Sequence, residues 1–273
     1  MVGQRGEATR NPGSGALSDL RNPKLKLAFG LKSLKGIDPK GHLLIEGLRL
    51  NTGAWTAKLP FIQMLYAPEF FSDHRCGELV DDVRSSGAET IRISRRVFGK
   101  YSYKAEGILG VVRHSPPSLE EIRLGISPRV VVLDGLADPG NIGGIIRSAN
   151  AFGVDLVIVA ESQRKLFHPK SLRASMGSLF HTPTCETDRD SALELVSSLT
   201  VPKIVMSPEG SESIRDLSFE DGYVLIVGNE KYGVHQKWRH AASRLASISM
   251  CGMVDSLNVT TSASIVMWEA RRE

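Results

Sequence analysis

Sulfur and metal have little part in holding this chain together. Its 273 residues include three cysteines, Cys76, Cys185 and Cys251. They are odd in number, far apart and in no metal-binding spacing, which excludes a disulfide framework and gives no reason to expect a metal. A chain of this length buries an adequate core without such staples, and free thiols fit a reducing, cytoplasmic setting. Long apolar runs are missing too, so neither a membrane anchor nor a secretory leader is expected. No repeat or coiled-coil heptad organises the sequence.

Positive charge is present and unevenly placed. Residues 1–120 carry 18 Lys and Arg against 12 Asp and Glu, whereas residues 121–273 carry 16 against 18. The upstream excess includes Lys24, Lys26, Lys32, Lys35 and Lys40, then Arg92, Arg95, Arg96, Lys100 and Lys104. Such a footprint can attract a phosphate backbone, although surface lysines near a terminus are common.

The apolar pattern divides the chain. Residues 1–23 combine Gly, Ser, Asn, Arg and Pro and read as a flexible lead-in. Short apolar runs at 43–45, 61–66 and 91–93 read as strands, with a helix over 76–84 burying Leu79. This gives a small α/β module over 24–114. Ser115, Pro116, Pro117 and Ser118 open a linker over 115–128, with a short helical stretch at 119–124. In 129–273 the runs at 129–133, 156–160, 201–206, 224–227 and 246–249 alternate with helical segments, among them 142–152 and 258–271. Branched apolar strands alternating with helices predict an α/β domain with a mostly parallel sheet.

Three glycine-containing turns stand at strand ends. The first, Asp138-Pro139-Gly140-Asn141-Ile142-Gly143-Gly144, precedes a helix whose free N–H groups could receive an anion, with Arg147 one turn beyond Gly143. Glu161 lies where a dinucleotide site keeps its ribose-binding acid, but the Gly-x-Gly-x-x-Gly order is absent, which argues against a nicotinamide-dependent enzyme. A tight turn carrying a surface arginine is the plain structural alternative. The second turn is Gly228-Asn229-Glu230-Lys231-Tyr232-Gly233, where Glu230 is either a site residue or an exposed cap. The third region, 248–260, holds Ser256 and Asn258, either of which would also serve as a simple helix cap.

Taken together, these segments resemble the SPOUT-class, TrmH-type RNA ribose 2′-O-methyltransferases, most closely those acting on ribosomal RNA. Asn141, Gly143 and Arg147 resemble the first family motif. Gly228, Asn229, Glu230 and Gly233 resemble the second, and Gly252, Ser256, Leu257 and Asn258 the third. The segments 106–110 and 175–180 also fit. The resemblance implies a C-terminal trefoil-knot domain that binds S-adenosylmethionine, a homodimer, and an N-terminal domain like an RNA-binding ribosomal protein. It implies a cofactor site from Gly228, Asn229, Ile248, Met250, Gly252 and Leu257. Catalytic roles fall to Arg147, Asn141, Glu230, Ser256 and Asn258, with Asn141 orienting Arg147 or the ribose and Glu230 holding the arginine.

After Glu46-Gly47-Leu48-Arg49 the family's regular helix is less clear, because Asn51, Thr52, Gly53, Trp55 and Pro60 weaken it. Cys251 is expected to pack inside the knot. His168 and His181 fit no zinc site or triad and read as structural or substrate-adjacent. Trp55, Tyr66 and Tyr101 are candidates for stacking on unpaired bases or for core and dimer packing. The segment 169–173 is also like that of methyltransferases conferring antibiotic resistance. The implied partner is structured RNA, ribosomal RNA or a ribosomal subunit first and transfer RNA second. A non-catalytic RNA-binding protein, which need not keep Asn141, Arg147, Glu230 and Asn258 together, is the alternative class.

Overall fold

The computed structural model describes residues 15–102, 106–163 and 165–271. Most of the expected lead-in, residues 1–14, lies outside them, as does Lys104. From Leu17 the chain is already engaged, pairing with Ile93 in an isolated bridge.

The first half contains helix α1 (Lys26–Leu34), strand β1 (His42–Glu46), helix α2 (Leu48–Thr56) and strand β2 (Phe61–Tyr66). Helix α3 (Arg75–Ser85), strand β3 (Glu89–Arg92), helix α4 (Arg95–Tyr101) and strand β4 (Ile108–Arg113) complete it. Its sheet runs β1-β4-β2-β3, antiparallel except for the parallel pair β2 and β3. Leu79 is buried on α3, as its helical spacing predicts.

Helix α2 forms where the sequence looked unfavourable, and its awkward residues have packing reasons. Asn51 is fully buried, and its Nδ2 donates to the Gly47 carbonyl at 2.8 Å. Gly53 faces Gly177 so closely that a Cβ would sit 2.9 Å from the Gly177 Cα. The glycine therefore lets the two halves touch. His181 extends the contact, with Nε2 at 3.2 Å from Thr56 Oγ1. His114 packs edge-on against Phe167 and Phe180. Tyr101 is buried in the first half's core and so is not free to stack on a base, whereas Trp55 is part-buried and meets Phe61 in an edge contact.

Between β4 and the next strand the described chain has one short 3-10 turn, Leu119–Glu121, closed by a Ser118–Glu121 capping box. Then follow β5 (Arg129–Asp134), α5 (Pro139–Ala151), β6 (Leu156–Ala160), α6 (Pro169–Ser175), β7 (Thr184–Thr187) and α7 (Arg189–Ser198). Strands β8 (Lys203–Met206), β9 (Glu212–Ser213) and β10 (Tyr223–Gly228) lead to α8 (Gln236–Ala241), β11 (Arg244–Ser247) and α9 (Val259–Glu269). All pairs in the seven-stranded sheet β7-β6-β5-β10-β8-β11-β9 are parallel. Its central strands are buried on both faces, which is why they read as unbroken Val, Ile and Leu runs. No helix among the described residues is long and apolar enough to cross a membrane.

Helix α5 begins earlier than its apolar pattern indicates, at Pro139, so Gly140 joins Gly143 and Gly144 inside it. They serve helix packing. A Cβ at Gly143 would fall 2.1 Å from the Ser171 carbonyl oxygen of α6, and one at Gly144 2.9 Å from Thr260 of α9. The expected anion-receiving helix start is filled by the chain's own Asp138, whose carboxylate accepts from Gly140 N at 2.7 Å and from Lys170 Nζ at 2.8 Å.

Replacing Gly143 by Ala forces α5 off α6 and is expected to cost ~1–3 kcal/mol by overpacking. Gly30→Ala in α1, where a Cβ meets nothing within 4 Å, is expected to gain ~0.5–1 kcal/mol from helix propensity. Urea midpoints of the two variants check both signs.

Candidate active site

The C-terminal ends of β10, β8 and β11 open into a cleft of about 590 Å³, lined there by Val227, Gly228, Met206, Ser207 and Ile248. Ligands of open α/β sheets bind at this edge. Of the six residues expected to hold a cofactor, Gly228, Asn229, Ile248, Met250 and Leu257 line the cleft. Gly252 does not; it is exposed. Glu230, Ser256 and Asn258 line the cleft as well. Glu209 and Arg239 also do so, and no sequence motif had marked them.

The second glycine turn is closed tightly. Asn229 and Gly233 exchange backbone hydrogen bonds of 3.0 and 2.8 Å, and Asn229 Oδ1 accepts from the Lys231 and Tyr232 amides. Asn229 Nδ2 reaches the Gly135 carbonyl at 2.8 Å, tying this turn to the end of β5. Beneath it, buried Asp134 takes Arg189 Nε at 2.8 Å and the His235 amide at 3.0 Å. Neither Asp134 nor Arg189 was anticipated. A lone acid at a strand's end was the available signal.

Glu230 does not hold Arg147. Its Oε1 accepts from Asn141 Nδ2 at 2.7 Å, and its Oε2 accepts from Ala137 N at 3.0 Å. Asn141 faces the third segment instead of Arg147, its Oδ1 lying 3.2 Å from both Asn258 Nδ2 and Thr260 Oγ1. Asn258 also caps α9, its Oδ1 accepting from Thr260 N at 2.9 Å. The three segments thus meet at one asparagine. Burial works against the Glu230 charge, but the bonds from Asn141, Ala137 and Asp138 outweigh it and hold the carboxyl below its ordinary 4.5.

Arg147 is exposed on α5, outside the cleft lining, with no partner among the described residues. At a helical 100° per residue it falls between Gly143, which meets α6, and Gly144, which meets α9. Ser256 is exposed and likewise unbonded. Cys251 is exposed, contrary to expectation, because residues 250–256 stand away from the core. Glu161 accepts from the Arg189 amide at 3.0 Å at the start of α7, a structural role. His168 caps α6 by accepting from Lys170 N at 3.1 Å. Among the described residues no cluster could hold a metal ion.

Fold and cleft define a two-domain α/β protein with a ligand site at the C-terminal edge of a parallel sheet. The chain belongs to the SpoU rRNA Methylase family, whose model matches residues 128–268. It is 29% identical to the 23S rRNA (uridine(2479)-2′-O)-methyltransferase of Streptomyces viridochromogenes, covering 85% of this chain and 83% of that protein. Its structure is similar to that of the AdoMet-bound rRNA methyltransferase from Sinorhizobium meliloti, with a TM-score of 0.82 and 25% identity over 94% of this chain and 97% of that one. The SpoU methyltransferase AviRb from S. viridochromogenes, solved with AdoMet, gives a TM-score of 0.80 and 27% identity over 92% and 97%.

Glu230→Gln places an amide where three donors converge, Asn141 Nδ2 and the Ala137 and Asp138 backbone amides. Amide exchange at Ala137 and Asp138 is then expected to quicken roughly 5- to 13-fold, about 1–1.5 kcal/mol for a partly exposed charged acceptor. Because the folded-state pKa is depressed, the wild-type contribution is present above pH 4.5 and is lost as pH falls through the lower folded value. Unchanged exchange in the variant at pH 7 would show that the carboxylate is dispensable.

Proposed function

We propose that this chain transfers a methyl group from S-adenosylmethionine to a ribose 2′-hydroxyl of ribosomal RNA. The observation that carries this reading is the junction at Asn141, which fastens the first segment and α9 to the Glu230 turn beside the cleft. The related S. viridochromogenes enzyme is a 23S rRNA 2′-O-methyltransferase, and the two similar solved structures contain AdoMet.

The cleft suits the cofactor. Its volume lies in the range of small-molecule sites. Ile248, Met250 and Leu257 offer apolar surface for a purine, and the Gly228–Asn229 turn offers backbone groups. Glu230 brings negative charge towards a sulfonium, and Arg239, which lies 3.9 Å from Glu209 and donates to Ser207 Oγ at 3.5 Å, adds a cation for a carboxylate. When bound, the cofactor supplies an already activated methyl group. The protein's task is to place the hydroxyl in line and accommodate negative charge on its oxygen.

Arg147 holds a neighbouring RNA phosphate or donates to the 2′-oxygen as charge develops. A guanidinium does not lose its proton readily, so it is not a conventional base. Asn258 and Ser256 supply hydrogen bonds near the ribose, while Asn141 and Glu230 position the loops.

The finer architecture belongs to the same proposal. After β11 the chain returns across the sheet so that α9 packs on α5, a course that supports a trefoil knot formed by residues 129–273. Residues 24–114 form the RNA-binding domain, and 115–128 the linker. Exposed Met253, Val254 and Trp268 on the third segment and α9 support a homodimer. A ribosomal RNA substrate also supports a cytoplasmic setting.

Labelled methyl transfer to unmodified ribosomal RNA, ribosomal subunits and transfer RNA, with the product mapped, tests the reading. A ribosomal 2′-O-methyl is expected. Exclusive labelling of transfer RNA would contradict the substrate, and no labelling of any would contradict the enzyme. Arg147→Ala is expected to leave cofactor affinity within about twofold while slowing transfer roughly 100-fold or more, the scale of losing one charge-stabilising donor. Near-normal turnover of the folded variant would remove Arg147 from catalysis.

A further inference from the structure

The N-terminal charge excess has a specific outlet where the two halves meet. The C-terminal end of α1 and the helix α6 border one crevice, whose lining carries three cations, Lys32, Lys35 and Arg173, and one acid, Glu46, beside apolar residues that include Leu43, Phe167 and Leu172. Lys35 closes α1 in the left-handed conformation, with φ 54°, and is exposed with no partner among the described residues. Arg173 lies in the last turn of α6. The walls therefore come from both halves of the protein.

We propose that this crevice binds the phosphodiester backbone of the substrate RNA next to the target nucleotide, with Lys35 and Arg173 as its principal cations. This rests on the RNA-modifying function proposed above. Both acids at the crevice, Asp138 beside it and Glu46 in its lining, have partners of their own. Asp138 is paired with Lys170 at 2.8 Å, while Glu46 accepts from Ser102 and attracts Lys32. Lys32 itself donates to the Lys100 carbonyl. The imidazole of His168 is held below its ordinary value by burial and then by Lys35, Arg173 and Lys170, against the opposing charge of Asp138. The apolar residues of the lining strengthen the field of these cations by limiting solvent screening.

The crevice is also connected to the site. Lys170 reaches from α6 to Asp138, whose backbone carbonyl accepts the Asn141 amide at 3.0 Å. A strand lying along α6 would pass from the Lys35–Arg173 pair towards Asn141 and Arg147. The seam would then do more than join domains: it would set the register between bound RNA and the methyl-transfer site.

Binding of unmodified 23S ribosomal RNA fragments, measured between 50 and 200 mM salt, tests the proposal. Each phosphate contact contributes ~0.7–0.9 to the slope of log affinity against log salt. The double variant Lys35→Gln/Arg173→Gln is expected to reduce that slope by ~1.4–1.8 and to raise the RNA KM. Its cofactor Kd should be unchanged. Lys35→Arg/Arg173→Lys keeps both charges and should keep the wild-type slope, which separates lost charge from lost folding. Lys40→Gln, outside the crevice, controls for general charge. A slope in the double variant no different from that of Lys40→Gln would overturn the proposal. Wild-type RNA binding with this slope change but no methyl transfer would contradict the proposed enzyme while leaving the crevice assignment standing.

Discussion

The hydrogen bond from Asn141 to Glu230 is the interaction on which the rest of the site depends. It spans 2.7 Å between residues 89 positions apart in the chain. Asn141 is engaged on both sides of its amide, donating to Glu230 and facing Asn258 and Thr260 with its oxygen. An amide is suited to this place because it donates and accepts from one rigid plane. A carboxylate in its position would face Glu230 with like charge, and an alanine would leave the segments without a common partner. The parallel sheet brings the three segments to one edge, but this amide fixes them to one another.

Around that junction the chain spends its small residues on close packing and its charges on caps. Gly143 and Gly144 let α5 lie against α6 and α9 together, and Gly53 lets the N-terminal half approach Gly177. Asp138 satisfies the start of α5 itself. The helix terminus is thereby withdrawn from anion binding, and cationic side chains remain for the task of meeting phosphate. This division is consistent with a cofactor cleft lined by Glu209 and Glu230 and with a separate basic seam at α1 and α6.

The strands of the second half were legible because burial on both faces demands unbroken branched apolar runs, as at Val130, Val131 and Val132. Helix α2 was obscured because Gly53 answers to a partner far away in sequence, Gly177, and buried Asn51 spends its amide on the Gly47 carbonyl, neither of which helix propensity reveals. The start of α5 was misplaced for the same reason, its glycines resembling a loop when they are a packing surface. In the site, the residues of the glycine turns were legible and most of them line one cleft. Their pairing was not: periodicity gives no means of knowing that Glu230 takes Asn141 and leaves Arg147 exposed. Thr260 escaped notice because its role depends on where the Asn258 cap aims it. Cys251 looked like core by type, yet it sits in an exposed segment.

If the junction acts as a unit, Glu230 and Asn258 should be energetically coupled although Asn141 stands between them. A double-mutant cycle with Glu230→Gln and Asn258→Ala, read on kcat/KM for methyl transfer, measures that coupling directly. The account predicts that either substitution costs nearly as much as both, a coupling of about 1 kcal/mol or more. Losses that add to within about 0.5 kcal/mol would contradict it, and would mean that the three segments act independently.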